Sequence, residues 1–433
     1  MAENFSSMLR AALGMGVFLA ILWACSENRR RINWRLVAGG LGLQVVLAIL
    51  ILKVPGTVTV FDWVAQRFVD LLAFSSKGAE FLFSGLVSDV PKYGFIFAVQ
   101  VLPTIIFFAA FSSVLYYLGI LQRVVFAFAW VMKKTMKLSG AESLATAGNI
   151  FLGQTEAPLL IRPYLASMTR SEIATLMTGG MATIAGGVMV AYIGLLGGDD
   201  PAGKVLFARH LLTASILSAP AAIVAAKMLV PETEPIDEQL KLPRDRLGTN
   251  VIDAAVIGTT DGVKLAVNVG GALLAFTALV ALVNAMLTGG PGSWFSLNDT
   301  VASATGGAYK EFTLQSILGF VFAPAAWLIG VPQGDLLYVG QLLGERCVLN
   351  EFVAYTTLAG MKTAGSIHDP RSVILVTYAL CGFANLVSMG IQVGGIGALA
   401  PERRPVLASL AFKAMAGGTV ACLFTACVAA FFI

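Results

Sequence analysis

Long apolar stretches constrain this chain more than any other feature: Leu9–Cys25, Leu36–Val54, Gly94–Leu121, Val205–Val230 and Val406–Ile433 are each 17 to 28 residues long. A helix of about 20 such residues crosses the hydrocarbon of a bilayer. Backbone in hydrocarbon must satisfy its own N–H and C=O groups, which leaves only helices and closed barrels. A barrel would read as short alternating strands, and none appear. Charged residues make up 12% of the 433, against about 25% in soluble domains. The expected fold class is all-α, a polytopic α-helical membrane protein.

The net charge of +4 is no nucleic-acid signal, because the basic residues sit in short loops instead of along one face. The five cysteines, Cys25, Cys347, Cys381, Cys422 and Cys427, lack metal-ligand spacing and read as small buried hydrophobes. The first apolar run makes a poor cleaved leader, since its n-region holds only Arg10 and no small-residue cleavage site precedes Glu27.

Lys and Arg of short loops stay in the cytoplasm. Arg29, Arg30, Arg31 and Arg35 follow the first span, so the N-terminus is expected outside. The clusters Lys241/Arg244/Arg246 and Arg403/Arg404 also fall inside, with both termini outside, only if two segments enter and leave on the same side. Those segments are 138–168 and 333–365, each too polar and interrupted for an ordinary span. Residues 58–90 read as amphipathic or surface-lying helix, the basic aromatic stretch around Arg123–Lys137 as a helix along the inner interface, and 251–288 as one long tilted span.

Residues 121–230 and 316–433 share one order of elements. Each has an aromatic stretch and a polar segment with one acidic tip (Glu156 or Glu351). A glycine-broken apolar segment follows, with Gly179, Gly180, Gly186 and Gly187 in one copy and Gly382, Gly390, Gly394 and Gly395 in the other. A plain span closes each copy. The copies start from opposite faces, so the expectation is two inverted repeats with re-entrant hairpins (138–168 and 333–365) and discontinuous helices. That architecture points to a binding site at the bilayer midplane. The expected domains are scaffold 1–120, transport repeat 121–230, cytoplasmic linker 231–248, scaffold span and outer loop 249–315, and transport repeat 316–433.

An acidic side chain at a helix centre in the bilayer costs about 2.5–3.5 kcal/mol on the insertion scale. Glu156 and Glu351 therefore either face an aqueous cavity and bind a polar solute, or stand at loop ends that reach the headgroups. Gln154, Thr155 and Asn350 beside them favour the cavity. An unwound segment around Thr183, Gly186 and Gly187, opposite Asn149, would offer hydroxyl, amide and carbonyl oxygens to a hard monovalent cation; glycines that merely let helices pack closely are the alternative. Asn385 and Ser388 share a helix face at i, i+3, unless Asn385 bonds a neighbouring helix instead.

The Gly-Gln-Thr-Glu-Ala-Pro tip (153–158), the Asn-Glu-Phe tip (350–352) and Phe-Ala-Asn-x-x-Ser (383–388) together resemble the signatures of the concentrative nucleoside transporters. The resemblance runs over nearly the whole chain. It implies a sodium-coupled nucleoside symporter of the bacterial inner membrane, a homotrimer in which a scaffold holds a moving transport part. Gln154, Thr155 and Glu156 would face the nucleobase of a uridine-like substrate, and Glu351, Asn385 and Ser388 the ribose hydroxyls. Val188 and Phe383 would be apolar walls. Sodium, the coupling ion and the sole non-protein requirement, would take the side chains of Asn149 and Thr183 with backbone oxygens of Leu152, Thr183 and Ile184. Thr183 stands where bacterial members favour serine, and the hydroxyl is kept.

Proton coupling through either glutamate is the alternative to sodium. A passive channel and a membrane-embedded enzyme are the more distant readings; the second would need clustered Asp or His at metal spacing. Gly198–Lys204 mimics a phosphate loop, but Val205 replaces the required Ser/Thr. His210 and His368 are too distant in sequence for a zinc pair.

Overall fold

The computed structural model describes residues 2–94, 96–198, 200–237, 239 and 248–433. The basic cluster Lys241/Arg244/Arg246 lies outside the described residues. Among the described residues there is no strand, and sixteen helices reach ten residues or more. In chain order these are α1 Ala2–Ala24, α2 Trp34–Leu52, α3 Pro55–Phe83, α4 Leu102–Tyr117, α5 Ile120–Met136, α6 Gly140–Asn149, α7 Arg170–Ala182 and α8 Gly186–Gly197. They continue with α9 Pro201–Leu229, α10 Val251–Leu287, α11 Leu314–Leu328, α12 Leu336–Val348, α13 Glu351–Ala364, α14 Pro370–Leu380, α15 Leu386–Leu399 and α16 Arg404–Ala429. Among the described residues, seven helical stretches are long and apolar enough to cross a membrane.

The two repeats match element for element. In the first, α5 leads into α6, a tip at 150–156, a broken return leg, then α7, a break and α8, and finally α9. The second runs α11, α12, a tip at 349–350, α13, then α14, a break and α15, and finally α16. The breaks have local causes. Thr183 and Ala185 adopt extended backbone between α7 and α8. Asn385 is extended at φ −142° and caps α15, its Oδ1 accepting from Ser388 N at 2.8 Å. Gly390, Gly394 and Gly395 do not break the second segment, contrary to expectation: all three lie inside α15. Gly179 and Gly180 likewise lie inside α7. Glycine costs a helix only about 1 kcal/mol relative to alanine, less than leaving backbone N–H and C=O groups unpaired in apolar surroundings.

The two broken helices cross each other against α16. A Cβ on Gly382 would lie 2.7 Å from both Met181 O and Cys422 Sγ. One on Gly418 would lie 2.8 Å from Met181 Cβ. The Cys422 thiol joins the breaks, lying 3.2 Å from Cys381 O and 3.5 Å from Ala182 O. Beside this crossing runs α9, buried over nearly all of Phe207–Leu229. Its polar groups find partners inside: Ser215 donates to Ile150 O at 2.8 Å, and Ser218 meets Thr425 at 3.2 Å. Pro220 interrupts its ladder, and Gln44 donates to Leu217 O at that place.

The hairpins are anchored at opposite ends of the bundle. The first is held by paired capping boxes, Ser139 with Glu142 and Thr169 with Glu172, beside Lys227, which bridges Glu142 at 2.8 Å and Glu232 at 3.1 Å. On this end Glu27 N donates to Leu229 O, the Glu27 carboxylate pairs with Arg170 and Lys413, and Arg403 donates to Ala166 O. Hydrogen bonding from Arg170, with Lys413 adding its charge, holds the Glu27 carboxyl down at about 2. The loop after α1, the exit of α9 and the start of α16 thus share one end. At the other end Ser7 donates to Gly330 O, Arg10 to Val331 O and Arg371 to Ala430 O, so both termini gather beside the foot of the second hairpin. There buried Asp335 accepts from His368 N and Asp369 N at 2.9 and 3.1 Å. The cysteines are split: Cys381, Cys422 and Cys427 are buried, Cys347 is half-buried, and Cys25, expected to be buried, is exposed in the turn after α1.

α4 and α10 form a pair of their own. Gly258 and Gly262, four residues apart on α10, let it touch the backbone of α4: added Cβ atoms would lie 2.6 Å from Ala109 O and 2.8 Å from Ile106 Cα. Such small-residue spacing is how membrane helices approach closely.

The crossing sets a test. Gly382→Ala forces backbone apart and should cost about 1–3 kcal/mol, lowering the thermal midpoint of the purified protein. Gly390→Ala, in the same segment but with nothing within 4 Å, should leave the midpoint unchanged or raise it. Equal midpoints for the two variants would remove the crossing as a structural constraint.

Candidate binding site

A cavity of about 510 Å³ opens between the two tips, the two breaks and α10. All eight side chains expected to bind a solute line it: Gln154, Thr155, Glu156, Val188, Glu351, Phe383, Asn385 and Ser388. Local capping explains how each is presented. Glu156 folds back so that its Oε2 accepts from Gly153 N at 3.0 Å. Asn350 caps α13 through Val353 N, which places Glu351 in the first helical position. Asn385 caps α15 and sets Ser388 three residues in.

These positions are helix N-termini, where the backbone dipole favours negative charge and leaves N–H groups unpaired. The N-termini of α8, α13 and α15 converge on the cavity. Helix ends of that kind, at the centre of a bundle, are a recurrent means of holding a polar solute at membrane depth.

Side-chain bonds join the repeats across the cavity. Gln154 Nε2 donates to Ser388 Oγ at 3.1 Å. Asn385 Nδ2 donates to Glu351 Oε2 at 2.8 Å, and Tyr192 OH reaches Glu351 Oε1 at 3.5 Å. Gln154 Oε1 has no partner among the described residues. The wall therefore presents two carboxylates, an amide oxygen and a hydroxyl, with Val188 and Phe383 as its apolar surfaces.

A second corner forms behind the first tip. Asn149 ends α6, is fully buried, and neither atom of its amide has a hydrogen-bond partner among the described residues. It faces Gly179, whose added Cβ would lie 3.1 Å from Asn149 Nδ2. Thr183 Oγ1 donates to Gly179 O at 2.9 Å, which leaves its lone pairs free. Among the described residues no hydrogen bond reaches the carbonyls of Leu152, Thr183 or Ile184. Orphaned buried polar atoms are rare and call for an explanation. Here the donors are neutral oxygens with no carboxylate among them, a set suited to a hard cation of single charge. Among the described residues no cluster of three or more His, Cys, Asp or Glu could hold a transition metal.

Sequence reasoning missed several lining residues. Asp261, Lys264 and Asn268 of α10 face the cavity, and the first two pair at 3.5 Å. Their i, i+3, i+7 spacing marks one helix face and was the available signal. Tyr192 carried none: it is one aromatic residue in an apolar helix. Buried Gln392 donates to Met177 O at 3.0 Å and braces α7 against α15.

Paired discontinuous helices around an internal cavity with a few polar groups fit a membrane carrier of small polar solutes. Comparison with known proteins specifies the class. Residues 210–430 match the family profile "Na+ dependent nucleoside transporter C-terminus", residues 13–86 its N-terminal counterpart, and residues 98–199 a gate profile, "Nucleoside recognition". An uncharacterized transporter of Haemophilus influenzae is 42% identical over 99% of this chain and 98% of its own. Sodium/nucleoside cotransporter 1 of Rattus norvegicus is 41% identical over 96% of this chain; the chain spans 62% of that longer protein. The structure of CNTnw in an inward-facing substrate-bound state superposes with a TM-score of 0.87 at 39% identity, covering 98% of both chains. The chain belongs to the sodium-dependent, concentrative nucleoside transporter family. It is a multi-pass membrane transporter and not an enzyme.

Proposed function

We propose that this protein is a secondary active symporter that imports ribonucleosides, uridine-like in size and polarity, across the bacterial inner membrane on a sodium gradient. The observation that carries this reading is the convergence of Glu156, Glu351, Gln154, Asn385 and Ser388 on one cavity, beside the orphaned oxygens of Asn149. In this reading Gln154, Thr155 and Glu156 take the base edge. Glu351, Asn385 and Ser388 take the ribose hydroxyls, and the sugar and base faces lie on Val188 and Phe383.

Sodium is held by Asn149 and Thr183 with the carbonyls of Leu152, Thr183 and Ile184. Binding there ties the first tip to the α7–α8 break, and so sets Gln154 and Glu156 for the base. One charge crossing 100 mV supplies about 2.3 kcal/mol. Repeats 121–230 and 316–433 form the moving part, and α4 with α10 form the wall against which it slides. A homotrimer would bury the exposed apolar residues of α10, such as Leu274 and Met286. The linker 231–248 and loops 27–35 and 401–405 are cytoplasmic, and hairpins 138–168 and 333–365 are re-entrant from opposite faces.

Three outcomes check this. Uridine binding to the purified protein should tighten with sodium, and Asn149→Leu should abolish that dependence. Binding indifferent to sodium and strengthened by acid would move the coupling to protons. Glu351→Gln should weaken uridine about ten- to hundred-fold, since hydroxyls left imperfectly paired cost about 1–3 kcal/mol. A 2′,3′-dideoxynucleoside should lose much less, and an equal loss would mean that Glu351 does not bind the ribose. In a background lacking native cysteines, Ser296→Cys should label only from outside intact cells and Gln239→Cys only from inside. The reverse labelling, or both from one side, would sink the topology.

A further inference from the structure

The last turn of α12 carries Arg346, which is 1% exposed and among the largest fully buried side chains in the molecule. One guanidinium nitrogen donates to Ala379 O, near the C-terminal end of α14. Its Nε and Nη2 have no hydrogen-bond partner among the described residues, and the sulfurs of Cys347 and Cys422 lie beside it. Among the described residues no carboxylate forms an ion pair with it. Burying a cation this way is costly unless the surroundings answer its charge.

What answers it is backbone, together with the Cys347 and Cys422 sulfurs and the charge of the Glu351 carboxylate. A helix C-terminus carries about half an elementary negative charge. α14 ends at Leu380 and α7 at Ala182, and the Cys422 thiol touches the carbonyls of both breaks. Two negative helix poles therefore meet at the crossing. In the first repeat the last turn of the first hairpin leg brings Asn149, with its orphaned amide, to Gly179 of α7. In the second repeat the last turn of the first hairpin leg brings Arg346 to Ala379 of α14. One pole faces neutral oxygens able to hold a mobile cation. The other faces a cation already attached to the chain.

We infer that Arg346 is a positioning residue at the inverted counterpart of the ion corner, a tethered positive charge that holds the α14–α15 break in its binding geometry without a second coupling ion. The inference deepens the sodium reading and rests on it. Asn385 and Ser388, just beyond that break, are then held throughout the cycle, whereas Gln154 and Glu156 are set only when the ion is loaded. One sodium accompanies each nucleoside.

The test is uridine binding to the purified full-length protein over a sodium series. Wild type should saturate with a Hill coefficient near one; a coefficient near two would overturn the inference without any variant. Arg346→Lys, which keeps the charge, should keep most of the affinity. Arg346→Asn, which copies the Asn149 donor, should lose about tenfold or more, as expected when a buried charge is removed from its partners. Further sodium should restore that affinity with a steeper dependence. Wild-type binding by Arg346→Asn, or a loss that lysine or sodium fails to repair, overturns the inference. Should Arg346→Asn not fold, the lysine variant and the wild-type coefficient decide. Wild-type binding indifferent to sodium fails the coupling reading instead, and the lysine–asparagine contrast then decides alone whether a charge at 346 is needed.

Discussion

The structure depends on one crossing, where the unwound segments 183–185 and 381–385 pass each other against α16. Backbone that leaves a helix at membrane depth must find partners inside the protein. The two breaks find them in one another, in caps and in the Cys422 thiol. The crossing also sorts the polarity of the interior. Helix N-termini point into the 510 Å³ cavity and helix C-termini point away from it, behind the tips.

Around that centre the molecule is close-packed on one side and open on the other. α9 buries polar residues that would be costly in lipid, because Ser215, Ser218 and Thr425 satisfy one another or nearby carbonyls. α10 keeps only a glycine stripe against α4 and exposes most of its length. A tightly fastened body beside a loosely covered wall is the mechanical arrangement that a carrier needs, since sliding requires one surface with few interlocking side chains. The polar face of α10 at Asp261, Lys264 and Asn268 completes the cavity from that wall.

Much of this was legible in sequence. The spans are set by composition, and the order of elements in 121–230 and 316–433 survives as matched tips and breaks. The polar residues that line the cavity announce themselves through short motifs: Asn385 and Ser388 are linked by a cap three residues long, and Glu156 by a turn to Gly153. Other features were misread or unseen. The glycines of α15 looked like a break and are helical, because pairing the backbone outweighs a weak local preference. Gly382 looked like one glycine among several, yet it is the one whose place is required by contact with Met181, two hundred residues earlier.

The sequence by itself determined that the chain is a bundle of membrane helices in two halves of matching element order, and which carboxylates and amides those halves bring to one cavity. Hydrophobic length, Lys/Arg placement and capping are local quantities, readable within a few residues. Tertiary structure alone decided that the breaks cross, that Tyr192 reaches Glu351, that α10 closes the cavity, and that Asn149 is left without a partner while Arg346 finds the end of α14. Each of these joins segments far apart in the chain, and no local spacing encodes which helix pole a buried side chain will meet.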